Sequence, residues 1–297
     1  MPDWKQVLVE ITDVSNVGPL DRVRRKYLSQ LHKKTGRNVI AYYSAWLQKP
    51  RIDKTSINDD DKNGFMAAIH GLDRSLGLDL ILHTPGGNIA ATESIVDYLR
   101  RMFGNDIRAI IPQIAMSSGT MIACSCKEIV MGKQSNLGPI DPQFGGIPCY
   151  GVIEEFNKAL SEIAVKPETI PIWQTIVSKY HPTFIGECQN ARDWSRQMVT
   201  AWLEGCMFAG ETDAGVKAAT IVDNLQNHTA QKTHERHINI DDCIGMGLKI
   251  CKLEEDDKFQ DLVLTVHHAF MHTLANSAVC KMVENHKGQA MCMTHAT

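Results

Sequence analysis

An α/β fold, with a parallel-rich sheet covered by helices on both faces, is what this sequence predicts, and three observations predict it. Leu78–His83 is a short apolar run that stops at Pro85-Gly86-Gly87, as a buried strand does on meeting a turn. From Ile89 to Phe103, the residues Ile95, Tyr98, Leu99 and Met102 recur three or four apart, which is one face of a helix. Ile107–Ile114 is a second apolar run. Strand, helix and strand over this length form a βαβ unit, whose right-handed crossover makes the strands parallel and brings their carboxyl ends to one edge. At that edge Gly86-Gly87 arrives beside Met116-Ser117-Ser118-Gly119. A glycine turn with available N–H groups next to a serine at a strand-to-helix junction suits acyl transfer.

The remaining elements are read around this unit. Val7–Val14 is expected as an edge strand, and Asp21–Lys34 as a basic helix with Val23, Tyr27 and Leu31 inward. Asn38–Trp46 is rich in β-branched and aromatic residues and reads as a strand. Residues 49–62, polar and carrying Pro50 and an aspartate run, read as a surface loop. Asp61–Leu76 reads as a helix with Phe65, Ile69 and Leu72 inward, and Glu128–Met131 is a further strand. After Gln143 the texture becomes helical: Val152–Val165, closed by Lys166-Pro167, then Trp173–Tyr180, Glu187–Phe208 and Gly215–Asn227. A polar stretch, His228–His237, leads to a short helix, Asp241–Met246, capped by Asn239 or Asp241. Asp261–Ser277 is the last helix, and a loose tail is expected from Ala290.

Bulk composition excludes several classes. A chain of 297 residues with 43% apolar and 22% charged residues can bury a substantial core. Its net charge of -3 argues against a general grip on nucleic acid or anionic membrane. No run of 18 apolar residues is present, so no membrane anchor is expected, and the first residues lack the layout of a signal peptide. Nine cysteines without repeating spacing suit a reducing cytoplasm better than a disulfide framework.

The segments around the turn resemble, in order, the Clp-fold (crotonase-like) serine peptidases, which include the Clp protease proteolytic subunit and signal peptide peptidase A. His83-Thr84-Pro85-Gly86-Gly87 is similar to their Ser-Pro-Gly-Gly strand end. Met116 to Ala123 is similar to their Ala-Ser-x-Gly-x-x-x-Ala nucleophile turn. Ser135–Asp141 falls where the Clp subunit carries its catalytic histidine, and Arg236–Leu248 resembles its C-terminal helix. Within this superfamily, Leu137-Gly138-Pro139-Ile140-Asp141-Pro142-Gln143 and Thr233-His234 most resemble the serine dehydrogenase proteinase (SDH) branch. The resemblance implies a Clp/crotonase-like fold of repeated ββα and βαβ units with an added helical subregion. It divides the chain into an N-terminal helical extension (1–36), a peptidase domain (37–253, its helical subregion about 150–228) and a C-terminal helix and tail (254–297).

The same resemblance implies a serine endopeptidase with a triad ordered Ser117, Asp141, His234. Ser117 would attack the carbonyl, although serines before a helix commonly serve as N-caps, and Ser118 is the neighbouring candidate. Gly87 and Ser118 N–H groups would hold the oxyanion, each worth about 3 kcal/mol when aligned. Asp141 stands where the Clp histidine would be, so the base must come from elsewhere; Asp141 is equally readable as a turn residue before Pro142. Among 12 histidines, His234 is the choice the family implies and His237 the second. Lys166 is the alternative base, by analogy with a Ser–Lys dyad, and would need burial to lower its pKa. His268 and His272 are one helical turn apart but lack the glutamate of a zinc motif, so no metal is expected. No cofactor is required. A peptide or protein substrate, a homo-oligomer and a possible ATPase partner are implied by resemblance. Two other readings stay open: an inactive scaffold that keeps the fold, and a crotonase-type acyl-CoA enzyme that uses the glycine turn without a serine.

Overall fold

The computed structural model describes residues 4–12, 18–226 and 235–295. In chain order the α-helices are α1 (Trp4–Thr12), α2 (Pro19–Thr35), α3 (Asp60–Ile69), α4 (Ile89–Phe103), α5 (Ser118–Cys124) and α6 (Cys149–Val165). They continue with α7 (Ile170–Val177), α8 (Phe184–Trp202), α9 (Ala214–Gln226), α10 (Ile240–Gly245) and α11 (Asp257–Asn276). The main strands are β1 (Asn38–Ser44), β2 (Leu78–His83), β3 (Ile107–Ile111), β4 (Ile114–Ala115), β5 (Glu128–Met131) and β6 (Asn136–Leu137). A hairpin, β7 (Gln143–Phe144) and β8 (Ile147–Pro148), precedes β9 (Ile238–Asn239), β10 (Ile250–Lys252), β11 (Val279–Asn285) and β12 (Ala290–Thr294).

The expected βαβ unit is present, β2 and β3 pairing in parallel with α4 between them. The large sheet runs β10-β5-β3-β2-β1-β11-β12, parallel from β10 to β1 and antiparallel beyond. β1 and β2 are buried along their whole length, which is why they read as continuous apolar runs rather than alternating ones. One face packs on α3, α4 and α5 through residues such as Leu80, Ile95 and Met121; the other packs on α1, α2 and α11 through Ile81, Leu31 and Phe270. Asp79, the buried second residue of β2, is neutralised by Arg37 at 2.7 Å and Arg108 at 2.8 Å. The helix α4 starts on Asn88, whose side chain accepts from Ala91 N–H, and ends at Gly104.

Two sequence expectations are corrected. Trp4–Thr12 is a helix: the β-branched run Val7, Val9, Ile11 looks extended, yet the buried pair is Val7 and Ile11, four apart on one helical face. The tail is not loose, because Ala290–Thr294 pairs with β11 and the hairpin continues the central sheet beyond β1. The expected short helix and its Asn239 cap are found in α10. The added helices α6 and α8 bury a small core of their own, Cys149, Val152, Ile153 and Cys188. Among the described residues, no helix is long and apolar enough to cross a membrane.

Candidate active site

Two chain segments meet at the carboxyl end of the sheet. Past β2, Thr84 bridges Ala115 in parallel, Thr84 N–H donating to Ile114 O and Met116 N–H to Thr84 O at 3.0 Å. This small extension sets the glycine turn against the start of α5. Gly86 has φ 91°, and a Cβ there would lie 2.7 Å from both Met116 O and Ser117 Cβ. The approach is possible because glycine has no side chain.

Ser117 occupies the junction between β4 and α5 with φ 50° and ψ −117°, and among the described residues it alone has positive φ without being glycine. Such a conformation costs roughly 1–3 kcal/mol and persists only where surrounding structure imposes it. Its effect is to lift the serine out of the helix's own first turn. Ser117 is half-buried and lines a cavity of about 680 Å³ together with Gly86, Gly87, Met121, Ile140, Phe144 and Trp194. Ser118, by contrast, is buried, and its hydroxyl donates to Gly87 O at 2.9 Å. That hydroxyl is committed to tying the glycine turn to α5. Among the described residues the Gly87 N–H has no acceptor, and Ser118, as the first residue of α5, has no intrahelical acceptor for its N–H.

The glycine turn is held from outside by residues 55–58, which the sequence reading placed in a surface loop. Ile57 is buried and bridges Gly87: Ile57 N–H donates to Gly86 O at 2.8 Å, and Asn88 N–H donates to Ile57 O at 2.9 Å. A Cβ on Gly87 would stand 2.3 Å from Ile57 N. Gly87→Ala is therefore expected to destabilise the protein by at least about 2 kcal/mol, since the displaced atoms are backbone and cannot rotate away. Thermal denaturation of the variant checks this.

Other expected residues are placed as follows. Ile140 and Pro142 line the cavity, but Asp141 between them turns inward and is buried, its oxygens accepting from Tyr150 N–H at 3.3 and 3.4 Å. Burial pushes its carboxyl up to about 7, against the Tyr150 N–H and the charge of Arg192, which pull it down. Lys166, at the exposed end of α6, and His237, exposed before β9, are not among the cavity-lining residues. His234 lies outside the described residues. His268 and His272 pack on Trp4, His272 Nε2 lying 3.1 Å from Trp4 O. His83, at the head of the glycine motif, is buried on the opposite sheet face beside Tyr43, Trp46 and His267. Burial lowers its pKa to about 3, so the ring is neutral.

The sequence reading missed three contributors: Ile57, Trp194 and Thr120, whose Oγ1 accepts from Gly138 N–H at 2.9 Å and holds the 138–141 segment to α5. Nothing in their local patterns marks them, because each works across a distant contact.

Compared with known protein families, residues 13–176 match the ClpP-like SDH-type serine proteinases. The chain belongs to that family. Its fold, with the parallel sheet and the glycine turn beside a serine, fits the Clp/crotonase-like architecture. Two uncharacterized proteins of Methanocaldococcus jannaschii are also similar to this SDH-type chain. MJ1495 is 36% identical over 102 residues, 34% of this chain and 35% of its own length. MJ0137 is 36% identical over 98 residues, 33% of this chain and 34% of its own. The chain thus matches about a third of the length of these relatives. The SDH-type family is one of serine proteinases, and the match reaches from α2 through the serine turn and Asp141 into α7.

Proposed function

We propose that this protein is a serine endopeptidase that forms an acyl-enzyme on Ser117. The observation that carries the reading is the left-handed conformation of Ser117 at the head of α5, facing a cavity that the glycine turn also lines. In the first step Ser117 Oγ attacks the scissile carbonyl and a base accepts its proton. The carbonyl oxygen, now an anion, sits between the Gly87 and Ser118 N–H groups. The leaving amine takes the proton back from the base, and water then hydrolyses the ester by the reverse sequence.

His234 is the base in this scheme, oriented by Asp141. The described chain approaches the 137–141 segment on both sides of His234. Before it, Leu225 O accepts from Ile140 N–H at 3.1 Å; after it, Ile238 pairs with Leu137. His234 precedes Ile238 by four positions, a reach of at most about 14 Å. A buried carboxyl with a raised pKa is suited to this role, since an imidazolium partner would restore the charge that burial disfavours. Met121, Ile140, Phe144 and Trp194 give the cavity an apolar wall, which favours an apolar side chain beside the scissile bond.

A fluorophosphonate probe followed by peptide mapping tests the reading. The expected result is one covalent adduct on Ser117, formed faster as pH rises through the range where a histidine loses its proton. An adduct on Ser118, or no adduct on folded protein at any pH, would sink it. The second outcome combined with tight coenzyme A binding would favour acyl-CoA chemistry.

A further inference from the structure

A deeply buried ion pair lies behind the glycine turn, outside the machinery described so far. Asp61, in the first turn of α3, is 0% exposed and Lys281, in β11, 1%; Lys281 Nζ stands 2.8 Å from Asp61 Oδ1 and 2.9 Å from Oδ2. Burying such a pair gains little over an apolar pair of the same volume, because desolvation offsets the attraction. What the pair does locally is therefore informative.

Its other hydrogen bonds converge on the turn by two routes. Along the first, Lys281 Nζ donates to Ser56 O at 2.7 Å and Asn58 N–H donates to Asp61 Oδ2 at 2.9 Å, while Ser44 Oγ donates to Thr55 O. These bonds fix the backbone on both sides of Ile57, whose own N–H and C=O are spent on Gly86 and Asn88. Along the second, Tyr42 OH donates to Asp61 Oδ2 at 2.9 Å and interacts with the Thr84 hydroxyl. Thr84 Oγ1 in turn accepts from Gly86 N–H at 3.2 Å. The two routes grip the turn from its outer edge and from its strand side.

We propose that Asp61 and Lys281 are positioning residues for the oxyanion turn, acting through the 55–58 segment and through Tyr42 and Thr84 to aim the Gly87 N–H into the cavity. The catalytic consequence rests on the serine peptidase reading above; the mechanical claim does not. Amides aimed at a developing anion contribute to rate only while they are held in place, so loosening the turn lowers the rate constant more than the affinity.

The test uses the full chain with Asp61→Leu/Lys281→Met, which replaces the pair by apolar groups, and with Thr84→Val and Thr84→Ser, which leave the pair intact. Hydrogen exchange is measured at Ile57 and Asn88, whose N–H groups are bonded across the turn, with the β2 and β3 amides as internal reference. Saturation kinetics of fluorophosphonate labelling are measured on the same samples. The expected result is at least tenfold faster exchange at the turn in the double variant and in Thr84→Val, with the reference amides unchanged. The maximal labelling rate falls at least tenfold at unchanged half-saturating probe concentration, and Thr84→Ser restores both. Unchanged exchange at the turn would overturn the proposal, as would exchange rising equally across the sheet, which marks loss of stability alone. Should the double variant not fold, the Thr84 pair decides by the same criteria. If the wild type is not labelled, the serine reading fails and the exchange measurement alone decides the positioning claim.

Discussion

Ser117→Ala is expected to leave the fold and stability unchanged and to reduce peptide hydrolysis at least about 10⁴-fold, the scale of losing a nucleophile that acts as a unit with its base. Ser117→Gly separates chemistry from strain. Both substitutions remove the hydroxyl, but glycine adopts φ 50° at no steric cost where alanine keeps the penalty. Glycine also gives the unfolded chain more freedom, which takes back roughly 0.5–1 kcal/mol of the relief. The net expectation is a gain of about 1 kcal/mol for Ser117→Gly over Ser117→Ala, read by thermal or denaturant unfolding. Equal stability of the two would show that the conformation is not strained, and activity surviving either would remove Ser117 from the mechanism.

Asp141→Asn is expected to stabilise the protein and disable it. Burial raises the folded-state pKa to about 7 from the 3.8 of an ordinary aspartate. The folded state therefore binds more protons than the unfolded chain between these values, and stability falls as pH climbs through that window. The loss is complete above the folded value and amounts to about 4 kcal/mol at most. Asparagine can still accept from Tyr150 N–H but carries no charge, so the variant should match the wild type near pH 4 and exceed it at pH 8. Activity should fall roughly 10²- to 10⁴-fold, the range for a residue that orients a histidine. Urea midpoints across pH together with turnover decide the matter. A wild type whose stability does not decline between pH 4 and 7 would mean that Asp141 is charged in the fold, held by a cationic partner.

What was legible in the sequence follows the range of each interaction. Pro85-Gly86-Gly87 is a local signal, since backbone conformation selects those residue types directly, whereas Ser117-Ser118-Gly119 is legible by its place between an apolar run and a helix, serine being strained at φ 50°. The βαβ unit shows because buried parallel strands must be apolar throughout. The edge hairpin did not show. Ala290-Met-Cys-Met-Thr294 has little β-branching and becomes a strand because β11 offers it a register. Residues 55–58 read as a loop because their order comes from Lys281, Asp61 and Gly86 rather than from their own side chains. Trp4–Thr12 misled for the opposite reason, its local β propensity being overridden by packing on α2 and α11.

The Asp61–Lys281 pair spans 220 residues of sequence. At roughly 5–20 residues per second, a ribosome makes Asp61 some 10–45 s before it makes Lys281. During that interval β1 has β2 available but not β11, and the 55–58 segment lacks its anchor. The glycine turn of a nascent chain is then incompletely braced while Ser117 is already synthesised. On the serine peptidase reading and the positioning role proposed above, a competent oxyanion turn requires β11, so competence follows the synthesis of that strand.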